Sequence, residues 1–428
     1  MKQTTVLFDA TNIVESLYKK KVNRAGIFWV AYNILKQFGI NSQYKTILLV
    51  PLFYKIKKDN ELNNFILSFS SIKYFDVFLF YRKIEFFLYN LLGKKIIIKY
   101  FLKIIFFIFY VLINPVFKIK SKYLKNIEIY FTPVYTIPDF IKNNPKIISF
   151  HILHDAIANL KEIPCASPIE SNFWYSNMIR GLNKDTYYFC VSECTKRDFY
   201  KLFPNQLDEK KMFVTENASA YTYFPDYNKT ILEKTLKKYG IEHKQNVSYI
   251  FSFCSIDPRK NLIFTIRCFI KFIKKHNIDN LYFYLGGAHF PEYINIFNQE
   301  IIEFNDYKEK IIKFGYIDDE DVNTFYSNSL FFTYLSQYEG FGMPVLEAMQ
   351  AGTPVICSNN SSLPEVTGDA AVTITYNDEE ACIKAFEDFY FNENLRKEYT
   401  EKGLERAKLF SWEKTFIKMS NIIQKAIC

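Results

Sequence analysis

Short apolar runs alternate with stretches of helical period along most of the chain. Residues 4–10 read as a first buried strand and residues 12–23 as a polar, lysine-bearing loop. RAGIFWVAYNILKQFG then sets Ile27, Val30, Ala31, Ile34, Leu35 and Phe38 at helical spacing. Further strands are expected at 44–53, 127–131, 146–150, 187–191 and 212–216, with Ser192 a natural N-cap for the helix that follows. Residues 217–245 are polar and charged, with a short helix at 230–239, and they separate this series from a second one. There, strands at 249–254, 281–286, 311–316, 331–335 and from Pro354 onward are spaced by helical segments, the first at 262–275. SWEKTFIKMSNIIQKAI ends the chain as an amphipathic helix. Strands that alternate with helices predict parallel sheets, here an α/β protein of two doubly wound, Rossmann-like domains.

Candidate chemistry concentrates in FFTYLSQYEGFGMPVLEAMQAGTPVICSNNSSLPEVTG, residues 331–368, which reads strand, loop, helix, turn, strand, loop. The chain has 13 glycines, and Gly340, Gly342, Gly352 and Gly368 all fall here, which points to backbone geometry closed to other residues. Pro344 fits a first helical turn and Gly352 a helix end. A glycine-bracketed loop that opens a helix turns free N–H groups and a positive dipole end outward, which suits a diphosphate. Glu339 and Glu347 lie on different elements and can grip two parts of one polyhydroxylated ligand; the plain alternative is a capping residue and a solvated helix residue. In S-I-D-P-R-K-N-L, Arg259 and Lys260 follow a strand, where two cations can hold a diphosphate. In HILHDAIANL, His151 and His154 are expected at a strand end with Asp155 directly after, again where doubly wound sheets place ligands. Gly26, just ahead of the first long helix, could let the backbone approach a phosphate or sugar, or be a plain loop glycine.

E-G-F-G-M-P-V-L-E-A-M-Q-A-G-T-P-V-I resembles the E-x7-E signature of the retaining GT-B glycosyltransferases that use nucleotide-sugar donors (glycosyltransferase group 1, family 4 type). The likeness continues through S-N-N-S-S-L-P-E-V-T-G-D-A-A, and N-R-x-G-I, FTPVYTIPDF, H-D, SECTKRDF and P-R-K-N are similar to further segments of that family. It covers nearly all of residues 150–428 and, more weakly, 1–40 and 127–150. The resemblance implies a GT-B fold, two Rossmann-like domains facing across a cleft. Its divisions would be an acceptor-side domain at 1–222, a nucleotide-sugar domain at 223–410, and a helix at 411–428 that crosses back to the first. It implies that Glu339 contacts the donor sugar, that Glu347 binds ribose hydroxyls, and that Arg259 and Lys260 hold the diphosphate. Backbone N–H groups of Phe341, Gly342 and Met343 would face sugar and diphosphate, His154 would sit near the reacting carbon with Asp155 beside it, and Gly26 would face the cleft.

The implied reaction is retaining transfer of a hexose to a glycan or lipid-linked acceptor hydroxyl in surface polysaccharide (lipopolysaccharide) assembly. GDP-mannose is the first donor, because H-D with D-P-R-K-N resembles bacterial mannosyltransferases, and UDP-hexoses come next. No resident cofactor and no metal are expected. A sugar-nucleotide epimerase or hydrolase on the same fold, or a non-catalytic nucleotide-sugar-binding scaffold, are the alternatives.

Composition changes this picture in two places. Net charge is +9, yet the first 150 residues carry 23 Lys+Arg against 8 Asp+Glu and the remainder 31 against 37. A basic first half suits an anionic surface, or its scattered lysines merely keep an apolar half soluble, and no recognised nucleic-acid module accompanies it. IIFFIFYVLI at 104–113 is too short to span a bilayer of about 20 helical residues, but lysines flank it within 99–122. It is either a membrane-interface segment or a buried helix. The eight cysteines form no metal pattern and, with a start that lacks signal-peptide architecture, fit a cytoplasmic protein, peripheral on the inner face of the plasma membrane in the first of those cases.

Overall fold

The computed structural model describes residues 3–18, 26–51, 61–74, 124–164, 173–241, 247–287 and 291–428. The proposed membrane-facing segment at 99–122 lies outside them. Among the described residues no helix is long and apolar enough to cross a membrane.

Among the described residues thirteen strands form two sheets. The first runs β3-β2-β1-β4-β5-β6-β7 and the second β10-β9-β8-β11-β12-β13. In the first, β1 is Thr4–Asp9, β2 Tyr44–Pro51, β3 Ser70–Tyr74, β4 Ile129–Thr132, β5 Ile148–Leu153, β6 Tyr187–Cys190 and β7 Met212–Val214. In the second, β8 is Ser248–Phe253, β9 Leu281–Gly286, β10 Ile311–Gly315, β11 Phe331–Tyr334, β12 Val355–Ser358 and β13 Val372–Ile374. Every pairing in the second sheet is parallel. Its order is the doubly wound 3-2-1-4-5-6, in which chain direction across the sheet reverses between the first and fourth strands, here β8 and β11. The expected α/β class with two Rossmann-like sheets is what the chain adopts.

The described chain divides into two compact units. One comprises Met1–Ile152, Asn177–Tyr188 and Ile423–Cys428; the other comprises Leu153–Ser176 and Phe189–Ile422. In the first unit, Val6, Leu7 and Phe8 are fully buried. Phe8 stacks on Phe131 with ring centroids 5.4 Å apart and meets Phe38 edge-on at 6.0 Å. Burying such a ring stabilises the fold by about 1.5–3 kcal/mol. Phe38 belongs to the helix Gly26–Ile40, whose buried face carries the expected Val30, Ala31, Ile34 and Leu35. Gln424, near the end of the last helix Trp412–Ile427, donates to the Tyr44 hydroxyl at 3.2 Å.

In the second unit the buried strand residues mix aliphatic and aromatic side chains. Phe251 on β8 touches Phe325, Tyr326 and Phe332 with centroids 5.3–6.1 Å apart.

Two expectations need correction. Residues 12–23 are not a loop throughout: Thr11–Tyr18 is a helix, because Ile13, Val14 and Leu17 share one helical face and bury it. His151 lies inside β5, not at its end, and its buried Nε2 is 3.2 Å from the Val134 carbonyl oxygen. Ser192, in contrast, caps the helix Glu193–Leu202 as its sequence suggests, accepting from Thr195 N–H at 3.0 Å.

Candidate active site

Two loops meet at the C-terminal ends of β8 and β11, adjacent strands at the reversal point of the second sheet. The first is D-P-R-K-N. Asp257 accepts from the Arg259 N–H at 2.9 Å and caps a single 3-10 turn, Pro258–Lys260, in which proline fills a position where its missing N–H costs nothing. Asn261 leaves the turn in the left-handed conformation, φ 56°, a region that asparagine tolerates. Its side-chain amide donates to the Tyr376 carbonyl at 2.7 Å before the helix Leu262–His276 begins. The turn leaves Arg259 and Lys260 side by side.

The second loop leaves β11 and carries Glu339 to the same place. Glu339 Oε1 lies 2.6 Å from Lys260 Nζ and 2.9 Å from Arg259 Nη1. Tyr334, buried on β11, donates its hydroxyl to the same oxygen at 3.0 Å and accepts from Lys260 at 2.6 Å. Arg259 also donates to the Tyr338 carbonyl at 2.5 Å, while Gln337 N–H donates to the Arg259 carbonyl at 2.8 Å. Burial alone would raise the Glu339 pKa, but Arg259 and Lys260 outweigh it and hold the carboxyl at about 2. Arg259 is stabilised in its charged form against the burial that opposes it, by Glu339 first and then by Asp257, Tyr334 and Asp155. Two cations thus meet the Glu339 carboxylate directly, and Asp257 lies 3.9 Å from Arg259 on its other side.

Gly340 explains how His154 and Asp155 come to this loop. A Cβ at Gly340 would lie 2.2 Å from the His154 carbonyl oxygen and 2.9 Å from Asp155 Cβ, so only glycine allows the backbones to approach. Thr195 Oγ1 lies within hydrogen-bond reach of both carbonyls, 3.1 Å from His154 and 3.2 Å from Gly340, and Ser192 donates to Gly340 at 2.7 Å. Asp155 accepts from the Ile157 N–H at 3.1 Å.

Gly342, at φ 102°, precedes the helix Met343–Gln350, with Pro344 in its first turn. Among the described residues no acceptor is found for the N–H groups of Phe341, Gly342 or Met343. The Phe341 ring itself is buried edge-on against Phe410, so only its backbone is open to a ligand. Gly352 follows the helix at φ 74°, as its place after the last turn suggests.

Glu347 lies inside that helix and is buried. Its carboxylate accepts from Tyr326 hydroxyl at 3.2 Å and from Ala220 N–H at 3.4 Å. No cation offsets its burial, and with Asp319 adding to the effect its pKa is pushed up to about 7 despite the donors around it. Gly26 belongs to the other unit; it is exposed and forms the first residue of its helix, not a loop ahead of it.

Sequence reasoning named the charged groups and missed the hydroxyls that hold them. Tyr334 carried one available signal: a tyrosine inside a strand as buried as β11 needs a partner for its hydroxyl.

The chain is also similar to known proteins over the part that holds this site. Residues 233–406, which contain both loops and both glutamates, match the model of the glycosyl transferases group 1 family. Over 281 residues the chain is 28% identical to O-antigen chain mannosyltransferase B of Escherichia coli, an alignment covering 64% of this chain and 71% of that protein. It is 23% identical over 266 residues to the serotype-specific mannosyltransferase WbdA of Escherichia coli, covering 62% of this chain but only 32% of that longer protein. Among solved structures, Anabaena Alr3699/HepE in complex with UDP and glucose superimposes with a TM-score of 0.66 at 12% identity, over 99% of this chain and 100% of that one, a likeness of fold. The fold is thus that of the GT-B glycosyltransferases, and residues 233–406, with Arg259, Lys260, Glu339 and Glu347 inside them, are similar to the glycosyl transferases group 1 family.

Proposed function

We propose that the protein transfers a hexosyl group, with retention of configuration, from a nucleotide diphosphate sugar to a hydroxyl of a glycan or lipid-linked acceptor in surface polysaccharide assembly. GDP-mannose is the donor we put first, supported by the mannosyltransferase names of its Escherichia coli relatives. A UDP-hexose comes second, supported by the UDP and glucose held by the HepE structure. The observation that carries the reading is the convergence of Arg259 and Lys260 on the Glu339 carboxylate where β8 and β11 end.

In this reading the bond between the anomeric carbon and the phosphate oxygen breaks as that carbon bonds to the acceptor oxygen. The acceptor's proton passes to the departing phosphate on the same face. Charge that develops on the leaving diphosphate meets Arg259, Lys260 and the N–H groups from Phe341 to Met343, and fixed donors of this kind stabilise the transition state without reorganisation. These cations make a divalent metal unnecessary to the scheme. Glu339, held at about 2 by its cations, is a weak base. It suits a group that accepts hydrogen bonds from sugar hydroxyls better than one that removes a proton. His154 and Asp155 would border the reacting carbon, and Glu347 would accept from ribose hydroxyls. Gly26 would line the acceptor side, and the reaction would take place at the cytoplasmic face of the membrane.

A donor screen by mass spectrometry tests this. Purified wild type, Arg259→Ala and Glu339→Ala are offered GDP-mannose, UDP-glucose, UDP-galactose and UDP-N-acetylglucosamine with a lipid-linked acceptor extract and with EDTA present. Transfer by wild type alone is the expected result. Acceptor-independent release of sugar in all three proteins would refute the assignment.

A further inference from the structure

From the last residue of β12 to the helix Leu363–Thr367 the chain runs Ser358, Asn359, Asn360, Ser361, Ser362, and four of these five side chains reach back to one loop. Ser358 donates to the Ser336 carbonyl at 2.5 Å, Asn360 to the Gln337 carbonyl at 2.8 Å and Ser362 to the Glu339 carbonyl at 3.0 Å. Ser361 Oγ accepts from the Glu339 N–H at 3.0 Å. Glu339 is therefore held on both sides of its Cα, by two neighbouring serines that lie more than twenty positions further along the chain.

Ser361 stands out within this set. Its φ is 51°, in the left-handed region that disfavours any residue with a Cβ and where glycine is the easy choice. Serine at this place exchanges conformational ease for a hydroxyl. That hydroxyl serves the amide of the residue whose carboxylate meets Arg259 and Lys260. We propose that Ser361 is a positioning residue: by anchoring the Glu339 amide it fixes the direction in which the carboxylate leaves the backbone, between the two cations and the donor sugar. The proposal rests on the reading of Glu339 as the sugar-contacting group.

Ser361→Gly separates the two roles of the residue, because glycine accepts the left-handed backbone while removing the hydroxyl. Wild type, Ser361→Gly, Ser361→Ala and the control Asn359→Ala are compared by mannosyl-transfer kinetics with GDP-mannose, by calorimetric binding of GDP and by thermal melting. For Ser361→Gly, kcat is expected to fall about tenfold, the scale of a single lost hydrogen bond, while GDP affinity is unchanged and Tm stays within a few degrees. Relief of the backbone strain offsets the lost bond in stability but not in catalysis. Ser361→Ala is expected to lose as much kcat with a lower Tm, and Asn359→Ala to match wild type. A wild-type kcat in Ser361→Gly would overturn the proposal. So would a loss that follows reduced Tm or equally weakened GDP binding, since that would mark a merely structural residue. If wild type binds GDP yet transfers nothing from any donor, the underlying reading of the reaction fails, and this role goes with it.

Discussion

Glu339 and Glu347 form one short motif and are both buried, yet they stand at opposite ends of the carboxyl range. Glu339 has two cations on one oxygen and is held at about 2. Glu347 has an N–H and tyrosine hydroxyls but no cation, and burial pushes it up to about 7. The contrast separates what hydrogen bonds can do from what charge can do. At Glu347 the neutral donors only reduce the cost of burial, whereas at Glu339 the two cations reverse it. One carboxylate is fixed in its ionised form, and the other is poised to change form near neutrality.

The two environments are best told apart by removing one charge at a time. Glu339→Gln leaves Arg259 and Lys260 together with no negative charge between them. Transfer is expected to fall by about 10²–10³-fold, and urea melts to report a loss of about 3 kcal/mol. A Gln variant as stable as wild type would mean the cations relax outward on their own.

Glu347→Gln is expected to cost little at pH 5, where the wild-type side chain is already largely protonated. Because the folded pKa lies above the usual 4.5, the favourable contribution of Glu347 is complete below about pH 4.5 and is lost as pH rises to 7. Wild type should therefore lose about 3 kcal/mol relative to the Gln variant across that window. Glu339 has the opposite sign: its contribution is present above pH 4.5 and disappears as pH falls toward 2. Stability measured from pH 3 to 8 should resolve the two slopes, and equal slopes in wild type and Glu347→Gln would contradict the buried carboxyl described here. If ribose hydroxyls bind the ionised form, GDP affinity should also rise as pH passes through 7 in wild type but not in the variant.

The smallest effect expected is that of Tyr326→Phe. Loss of one donor to Glu347 costs about 1 kcal/mol, and the Glu347 titration followed by carboxyl carbon NMR should move further upward. An unmoved midpoint would assign its control instead to the carboxylate's other donors, the Ala220 N–H and the Tyr223 hydroxyl.

The sequence made the alternation of strands and helices readable, because apolar period and glycine placement are local. It made D-P-R-K-N and the two glutamates readable as candidates, because their residue types limit what chemistry they can do. It did not reveal that Arg259 and Lys260 share one Glu339 oxygen, since that contact depends on β8 and β11 being neighbours. The serines and asparagine at 358–362 were no more legible. A polar tract between a strand and a helix looks like an ordinary loop until its partners, about twenty residues earlier, are placed opposite. The helix Thr11–Tyr18 was missed for a simpler reason: three apolar residues among polar ones form too short a face to stand out.

The pairing of β8 with β11 has a consequence for the order in which the protein is made. Ile250 lies opposite Phe331, and β9 and β10 are added on the other side of β8 in the meantime. A nascent chain thus carries Arg259 and Lys260 through about eighty further residues of synthesis, at 5–20 residues per second, before Glu339 exists. During that interval the cations stay hydrated and the edge of β8 stays open. Arrival of β11 closes a long loop, removes the open edge and buries three charges together, so completion of the sheet and assembly of the site are one late folding event.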